Sequence, residues 1–502
     1  MFVILAFLFE IKMTKNLRPI MLVGTGSDVG KSILVTGICR ILKQKGYTPA
    51  PFKAQNMSLN SFVTKDGLEI GRAQAVQAEA AGISCTTEMN PVLLKPSGAN
   101  KSQVILHGKP IGDQTARSYF LGNNKQELFK EVKKAFTKLQ AQYSPIVLEG
   151  AGSISELNLK HRDIVNMRMA QYANAAVYLV ADIDRGGVFA SVYGSIALLD
   201  EDERKLIKGI IINKFRGDIS LFEEGKKMIE DLTNVPVLGV IPFAKDIYIE
   251  EEDSLALDTK NKAITTGKIN IAVVLLPFIS NFTDFNRLEK DERVHLFYTR
   301  SKEDLKKADI IIIPGSKNTI ADMQFLRNAE LAQEILNAYE QKKKVIGICG
   351  GFQMLGQSIS DPHHVENDIH TIPGLGIIPA HTTMAAEKTT SQCNFTFKAY
   401  EETCTGYEIH MGITSFEHQQ KLNTINNTPE GYMDEHCWGT YIHGIFDNSI
   451  VIDDLLKNFS IENTSETFDY KKYKEENYDK LAAHLVSNLD MDYIIAQMQS
   501  SL

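Results

Sequence analysis

Residues Val345-Ile-Gly-Ile-Cys-Gly-Gly-Phe-Gln-Met-Leu-Gly356 run from a short apolar strand, through a cysteine and two glycines, into a helix-forming segment. A cysteine on such a turn is held exposed at the top of a sheet, where it can attack a carbonyl carbon. Cys349 needs a base, and Gly439-Thr-Tyr-Ile-His443-Gly-Ile-Phe-Asp447 offers His443 at the end of a short strand. A thiolate–imidazolium pair is the usual way to activate such a thiol. His410, in Gly406-Tyr-Glu-Ile-His-Met-Gly412, is the rival base. Ile313-Pro-Gly315-Ser-Lys-Asn-Thr319 also follows a buried-type strand. Its backbone N–H groups around Gly315, with that of Gly350, suit an oxyanion hole. Gly347, Gly350 and Gly351 surround Cys349, and packing alone gives no reason for so many glycines there. Cys39, Cys85, Cys393, Cys404 and Cys437 have no such surroundings and read as small buried hydrophobes. Ile445 stands two residues after His443, where a supporting carboxylate would be sought, so the pair is expected to work without a third member.

A second constellation lies far upstream. Ile20-Met-Leu-Val-Gly24-Thr-Gly-Ser-Asp-Val-Gly30-Lys31-Ser32 reads as strand, glycine loop and helix start. Backbone N–H groups of such a loop, and of the helix behind it, hold phosphate oxygens. Thr25, Gly26 and Gly30 would form the cradle for ATP, Lys31 would reach its outer phosphates, and the Ser32 hydroxyl would take Mg²⁺. Thr25 occupies the place where the usual pattern has its first glycine, with Gly24 and Gly26 on either side. That variant is similar to the loop of dethiobiotin-synthetase-like ATPases. Leu148-Glu149-Gly150 puts a carboxylate at the end of another buried-type strand, where ligands of open α/β sheets gather, and Glu149 is a second candidate for the Mg²⁺. Asn213, at a third strand end, is a candidate reader of the adenine edge, and Lys53 and Glu69 are candidates for balancing charge at the phosphates and metal. A cysteine nucleophile and a nucleotide site in one chain suggest two coupled half-reactions.

These residues need rigid strands beneath them. Ile20–Val23, Ile146–Leu148, Ala176–Ala181, Gly209–Ile212 and Val237–Ile241 are short β-branched runs separated by amphipathic segments, which predicts a parallel sheet covered by helices. The stretch 244–268 is charged and polar, and its later part reads as a domain boundary. A second alternating block has strands at Ile271–Leu276, Ile310–Ile313 and Val345–Ile348. Past Pro373 the pattern predicts shorter, mixed strands, and from Asp453 onward a helical segment with Tyr478, Leu481, Ala482, Leu485 and Leu489 on one face.

With 502 residues the chain is long enough for two or three domains, and 43% hydrophobic with 23% charged residues is a globular composition. A net charge of −8 argues against nucleic acid as the main partner. Six cysteines without paired spacing fit neither a disulfide framework nor a zinc site, and a reducing, cytoplasmic compartment is the simplest fit. The apolar run Phe2–Phe9 is too short to span a bilayer and lacks the flanks of a signal peptide. It reads either as an upstream extension with a misassigned start, Met13 opening a more ordinary one, or as an added surface strand or helix.

Together the motifs resemble the glutamine-hydrolysing cobyric acid synthase family. The resemblance runs from about Pro19 to the C-terminus and includes Pro51-Phe-Lys-Ala-Gln-Asn-Met-Ser-Leu-Asn-Ser61, Glu69-Ile-Gly-Arg-Ala-Gln74, Asn90-Pro-Val-Leu-Leu-Lys-Pro96 and Asp182-Ile-Asp-Arg-Gly-Gly-Val-Phe-Ala190. Asn213-Lys-Phe-Arg-Gly-Asp218, Ser280-Asn-Phe-Thr-Asp-Phe-Asn-Arg-Leu288 and Pro314-Gly-Ser-Lys-Asn-Thr319 also fit. The resemblance implies an α/β protein of two domains. Residues 19–267 would be a dethiobiotin-synthetase-like P-loop domain binding ATP–Mg²⁺ and a corrinoid. Residues 268–502 would be a class I glutamine amidotransferase domain ending in the helical segment, and residues 1–18 an extension. It implies Cys349 as nucleophile and His443 as base, and Ile445 fits the same branch. The implied reaction amidates the b, d, e and g carboxylates of adenosylcobyrinic a,c-diamide, with one glutamine and one ATP for each, and needs no tightly bound organic cofactor, nucleic acid or membrane. The nearest rival is cobyrinic acid a,c-diamide synthase, whose usual Gly-Pro-Asp-Tyr-Ile-Asp type sequence is replaced here by Ala54-Gln-Asn-Met-Ser58. A P-loop switch ATPase with a vestigial amidotransferase module is the rival from a different class.

Overall fold

A computed structural model describes residues 17–500 apart from 99–100, 116–118, 120–123, 253–256, 258–263, 367 and 460–467. The apolar run Phe2–Phe9 and part of the expected boundary at 244–268 lie outside the described residues.

The five runs expected in the first half form strands of one sheet, in the order Val237–Pro242, Ile207–Phe215, Ala176–Asp182, Ile20–Gly24, Ile146–Glu149, with Ala50–Phe52 added at the edge. Every pairing is parallel. Ile20, Met21, Leu22 and Val23 are all fully buried, as a strand covered by helices on both faces requires. Ala50-Pro51-Phe52 escapes a search for apolar runs because it is short and holds a proline, which only an edge strand tolerates. A mixed sheet that periodicity does not reveal extends from this domain: Gln55–Met57, parallel to Val92–Gly98, which continues antiparallel through Lys101–Leu106 and Lys109–Thr115.

The second domain has its own sheet, in the order Val294–Thr299, Ile269–Val274, Ile310–Ile313, Lys344–Ile348, Cys437–Thr440 and Tyr432–Met433. All of its pairings are parallel except the last. The expectation of shorter strands past Pro373 is corrected. Ala380–Phe397 and Thr403–Phe416 form a hairpin of 18- and 14-residue strands with an irregularity between Met384 and Thr389. Its alternation is weak because its polar residues are put to use. Lys388 pairs with Glu69 at 2.5 Å, Thr390 Oγ1 donates to Gly67 O at 2.6 Å, and Gln392 Nε2 donates to Val63 O at 2.5 Å, all on the first domain.

The C-terminal helices need a second correction. The segment from Asp453 is helical, and Tyr478, Leu481, Ala482, Leu485 and Leu489 are buried as their spacing predicts. Four of these residues pack on the first domain, however, in one core with Ile20, Leu22, Leu34 and Ile38, and Tyr478 packs with Val76 and Ala80, also of the first domain. The helix Tyr470–Asn488 lies across the helix Lys31–Gln44 that follows the phosphate loop. Gly37 permits this approach, since a Cβ there would stand 2.4 Å from Leu485 Cδ1. Arg40 adds bonds of 2.7 Å to both Glu475 and Asp479. The chain thus crosses to the second domain and returns to strap the first, so residues 268–502 are not one packing unit. Among the described residues no helix is long and apolar enough to cross a membrane.

Candidate functional site

The phosphate loop sits at the C-terminal end of the central strand Ile20–Gly24, under a cavity of about 1200 Å³. Thr25, Gly26, Gly30, Lys31, Ser32, Lys53 and Glu149 all line it. Gly30 has φ 96°, a conformation that glycine adopts without strain. Lys31 Nζ donates to Gly26 O at 3.0 Å and Gly152 O at 3.1 Å. Burial lowers its pKa to about 8, against the opposing pull of Glu149.

Glu149 is the hub of this site. Ser32 Oγ and Lys53 Nζ each donate to its Oε1 at 2.8 Å, and Gln77 Nε2 to its Oε2 at 2.7 Å. Burial pushes the carboxyl pKa up, but Lys53, Gln77 and Ser32 outweigh it and keep the group ionised below its ordinary value. Among the described residues no cluster of three acidic, His or Cys side chains could hold a metal alone. Nucleotide-bound Mg²⁺ does not need one, because it takes one or two protein ligands and completes its shell with phosphates and water. Ser32 and Glu149, hydrogen-bonded to each other, fit that requirement.

Two expectations here are corrected. Asn213 does not line the cavity. Its Nδ2 donates to Val29 O at 2.8 Å and lies 2.1 Å from where a Cβ on Gly30 would be, so it props the loop from behind. Glu69 is not at the phosphates either. It is buried between Lys95 at 2.8 Å and Lys388 at 2.5 Å, beside the cysteine pocket.

Cys349 stands at the end of the strand Lys344–Ile348 with φ 51° and ψ −108°, a conformation that costs a non-glycine residue about 1–3 kcal/mol. Its N–H donates to Thr440 O at 2.8 Å, which pins the turn. Packing does explain the neighbouring glycines, contrary to expectation: a Cβ on Gly351 would lie 1.9 Å from Ile313 O, and one on Gly350 2.9 Å from Ser316 N. Gly350 lines the pocket of Cys349, whereas Gly315 lies behind it against the ring of His443.

His443 lines the same pocket as Cys349, whose Sγ lies 3.7 Å from Ile409 O. His410 also lines the pocket, but its Nδ1 is bonded to Gly412 O at 2.8 Å and its ring stacks on Tyr441. The expected absence of a third member is overturned. Asp284, on the turn Phe282–Phe285, accepts from His443 Nδ1 at 2.7 Å through Oδ2 and from Gly444 N at 3.0 Å through Oδ1. Burial alone would disfavour the imidazolium, but Asp284 and Cys349 outweigh it and lift the pKa of His443 to about 10. With Nδ1 engaged by Asp284, Nε2 is left for the thiol. Asp284 lies within the Ser280–Leu288 motif, yet 159 residues from His443, and nothing in its local sequence links the two.

The two sites are joined by the segment 55–61. Gln55, Asn56 and Met57 line the phosphate cavity. At the other end Ser61 N donates to Asn281 Oδ1 at 3.2 Å, and Lys95 Nζ donates to Ser61 Oγ at 2.9 Å, both partners being walls of the cysteine pocket.

Residues 20–256 match the CobQ/CobB/MinD/ParA nucleotide binding domain and residues 270–451 the CobB/CobQ-like glutamine amidotransferase domain. The chain is 57% identical over 487 residues to a cobyric acid synthase of Bacteroides fragilis, covering 96% of this chain and 98% of the relative. It is 57% identical over 495 residues to the cobyric acid synthase of Phocaeicola vulgatus, covering 97% and 100%. A Listeria monocytogenes cobyric acid synthase is 49% identical over 494 residues, covering 95% and 96%. Two linked sites, both domain matches and end-to-end similarity lead to one conclusion: the chain belongs to the cobyric acid synthase family, ATP-dependent ligases that carry a glutamine amidotransferase domain.

Proposed function

We propose that this protein converts the b, d, e and g carboxylates of adenosylcobyrinic a,c-diamide to amides, with glutamine as nitrogen donor and ATP–Mg²⁺ as activator. One observation carries the reading: a nucleotide cradle and a Cys–His–Asp site share one chain and are linked by the segment 55–61. A cavity of about 1200 Å³ is larger than the usual small-molecule site and leaves room for a bulky second substrate beside the nucleotide. Lys125, Arg162 and Arg168 in its wall suit a substrate rich in carboxylates.

A carboxylate cannot expel oxide at neutral pH, so it must first acquire a leaving group. The substrate carboxylate oxygen attacks the γ-phosphorus and ADP departs, leaving an acyl phosphate. Lys31 holds the phosphoryl oxygens, and the loop N–H groups fix their position. Mg²⁺, held by Ser32 and Glu149, would supply charge neutralisation. In the second site the thiolate of Cys349 attacks the glutamine side-chain carbonyl. The N–H of Gly350 faces the oxyanion, such a donor being worth about 3–4 kcal/mol. His443 gives its proton to the departing ammonia, and water then releases glutamate from the thioester. Ammonia displaces phosphate from the acyl phosphate to give the amide.

Cys349→Ala tests the division of labour. It should abolish glutamine-dependent amidation and leave amidation with free ammonia at high pH, each followed by mass spectrometry of the corrinoid. Lys31→Ala should abolish amidation with either donor. Loss of both donors in Cys349→Ala would refute the reading.

A further inference from the structure

The pocket of Cys349 is not built by the amidotransferase domain alone. Lys95 and Gln103, from strands of the first domain, form part of its wall opposite elements of the second. Lys388 completes this side from the long hairpin. Glu69 lies behind both lysines and bonds each of them. Two buried ammonium groups thus share one carboxylate, which leaves an excess positive charge at the pocket wall. An ammonium has three N–H donors. Lys95 spends two, on Glu69 and Ser61, and Lys388 spends one, on Glu69. Buried charge with unspent donors calls for an acceptor.

Elsewhere on the same pocket lies Glu366. Its Oε2 accepts from Thr319 N at 2.7 Å and its Oε1 from Thr319 Oγ1 at 3.4 Å. A carboxylate has about four lone-pair sites, so acceptor capacity remains. The cavity is only about 40 Å³, and any ligand whose amide reaches Cys349 must press against these walls.

We propose that the amino-acid head of glutamine is read across the domain interface, with Lys388 and Lys95 holding the α-carboxylate and Glu366 the α-ammonium. The inference rests on the glutaminase reading of Cys349 and extends it. It makes a residue of the synthetase domain part of the glutamine site, so glutamine is gripped only when the two domains are docked.

The test uses the full-length protein and three substrates: glutamine, 4-aminobutanamide, which lacks the α-carboxylate, and glutaramate, which lacks the α-amine. Ammonia release is measured for each. Lys388→Met should lower kcat/KM for glutamine about 100-fold and leave that for 4-aminobutanamide within about threefold, so discrimination between these two collapses. Discrimination against glutaramate should persist. Glu366→Gln should give the mirror pattern. Should Lys388→Met fail to fold, Lys388→Gln keeps a donor for Glu69 and should show the same collapse. Equal losses on all three substrates, or unchanged ratios in both lysine variants, would overturn the proposal while leaving the glutaminase reading in place. A wild-type protein that releases no ammonia from glutamine would overturn both.

Discussion

Asp284→Asn isolates what the buried carboxylate does for His443. The side chains of the pair are 1% and 2% exposed, and their contact is 2.7 Å. Two unit charges about 4 Å apart at an effective dielectric of about 20 attract by about 4 kcal/mol. That is about three pH units of imidazolium stabilisation at roughly 1.4 kcal/mol each. It accounts for most of the rise of His443 to about 10. Asparagine keeps the size of the side chain and removes the charge. His443 should then fall to 6.5 or below, and the thiolate–imidazolium pair should be scarce at pH 7.5. Glutaminase kcat/KM should drop by about 10⁴-fold, the loss that accompanies neutralising a triad aspartate to asparagine. Amidation with free ammonia should stay within about twofold of wild type. Stability provides a second readout. A raised folded-state pKa gives stabilisation that is full below the ordinary value and lost as pH rises through about 10, so the wild type should lose stability there more steeply than Asp284→Asn. Glutaminase activity within threefold of wild type in Asp284→Asn would refute the positioning role.

Leu485→Ala removes a fully buried side chain from the strap over the phosphate-loop helix. Urea unfolding should show a loss of about 2–5 kcal/mol, and KM for ATP should rise although the residue is far from the nucleotide. Glu430 is buried among Asn423, Thr440 and Tyr441 N, and burial lifts its pKa to about 7. Its contribution to stability is full below about 4.5 and lost as pH rises to about 7, amounting to about 3 kcal/mol. Glu430→Gln should remove that slope from a pH series of unfolding curves.

Much of the fold was legible because parallel strands buried on both faces leave continuous β-branched runs, as at Ile310–Ile313. The phosphate loop was legible because its backbone conformation demands glycine at fixed spacing, as Gly30 does. The hairpin 380–416 was not, because its outer residues bond another domain and break the alternation. Neither was the true place of Glu69, since its partners Lys95 and Lys388 are 26 and 319 residues away.

Sequence alone marked the candidate reacting groups: Cys349 on its turn, His443 as the expected base, Lys31 and Ser32 in the loop. Each is marked by local chemistry, a strand end, a run of glycines or a fixed spacing. Tertiary structure alone decided what surrounds them. It brought Asp284 to His443, put Lys95 and Lys388 at the pocket wall, turned Asn213 into a prop and returned the last helices to the first domain. Those relations depend on which buried surfaces meet, and burial is where a carboxylate at 2.7 Å changes a histidine most.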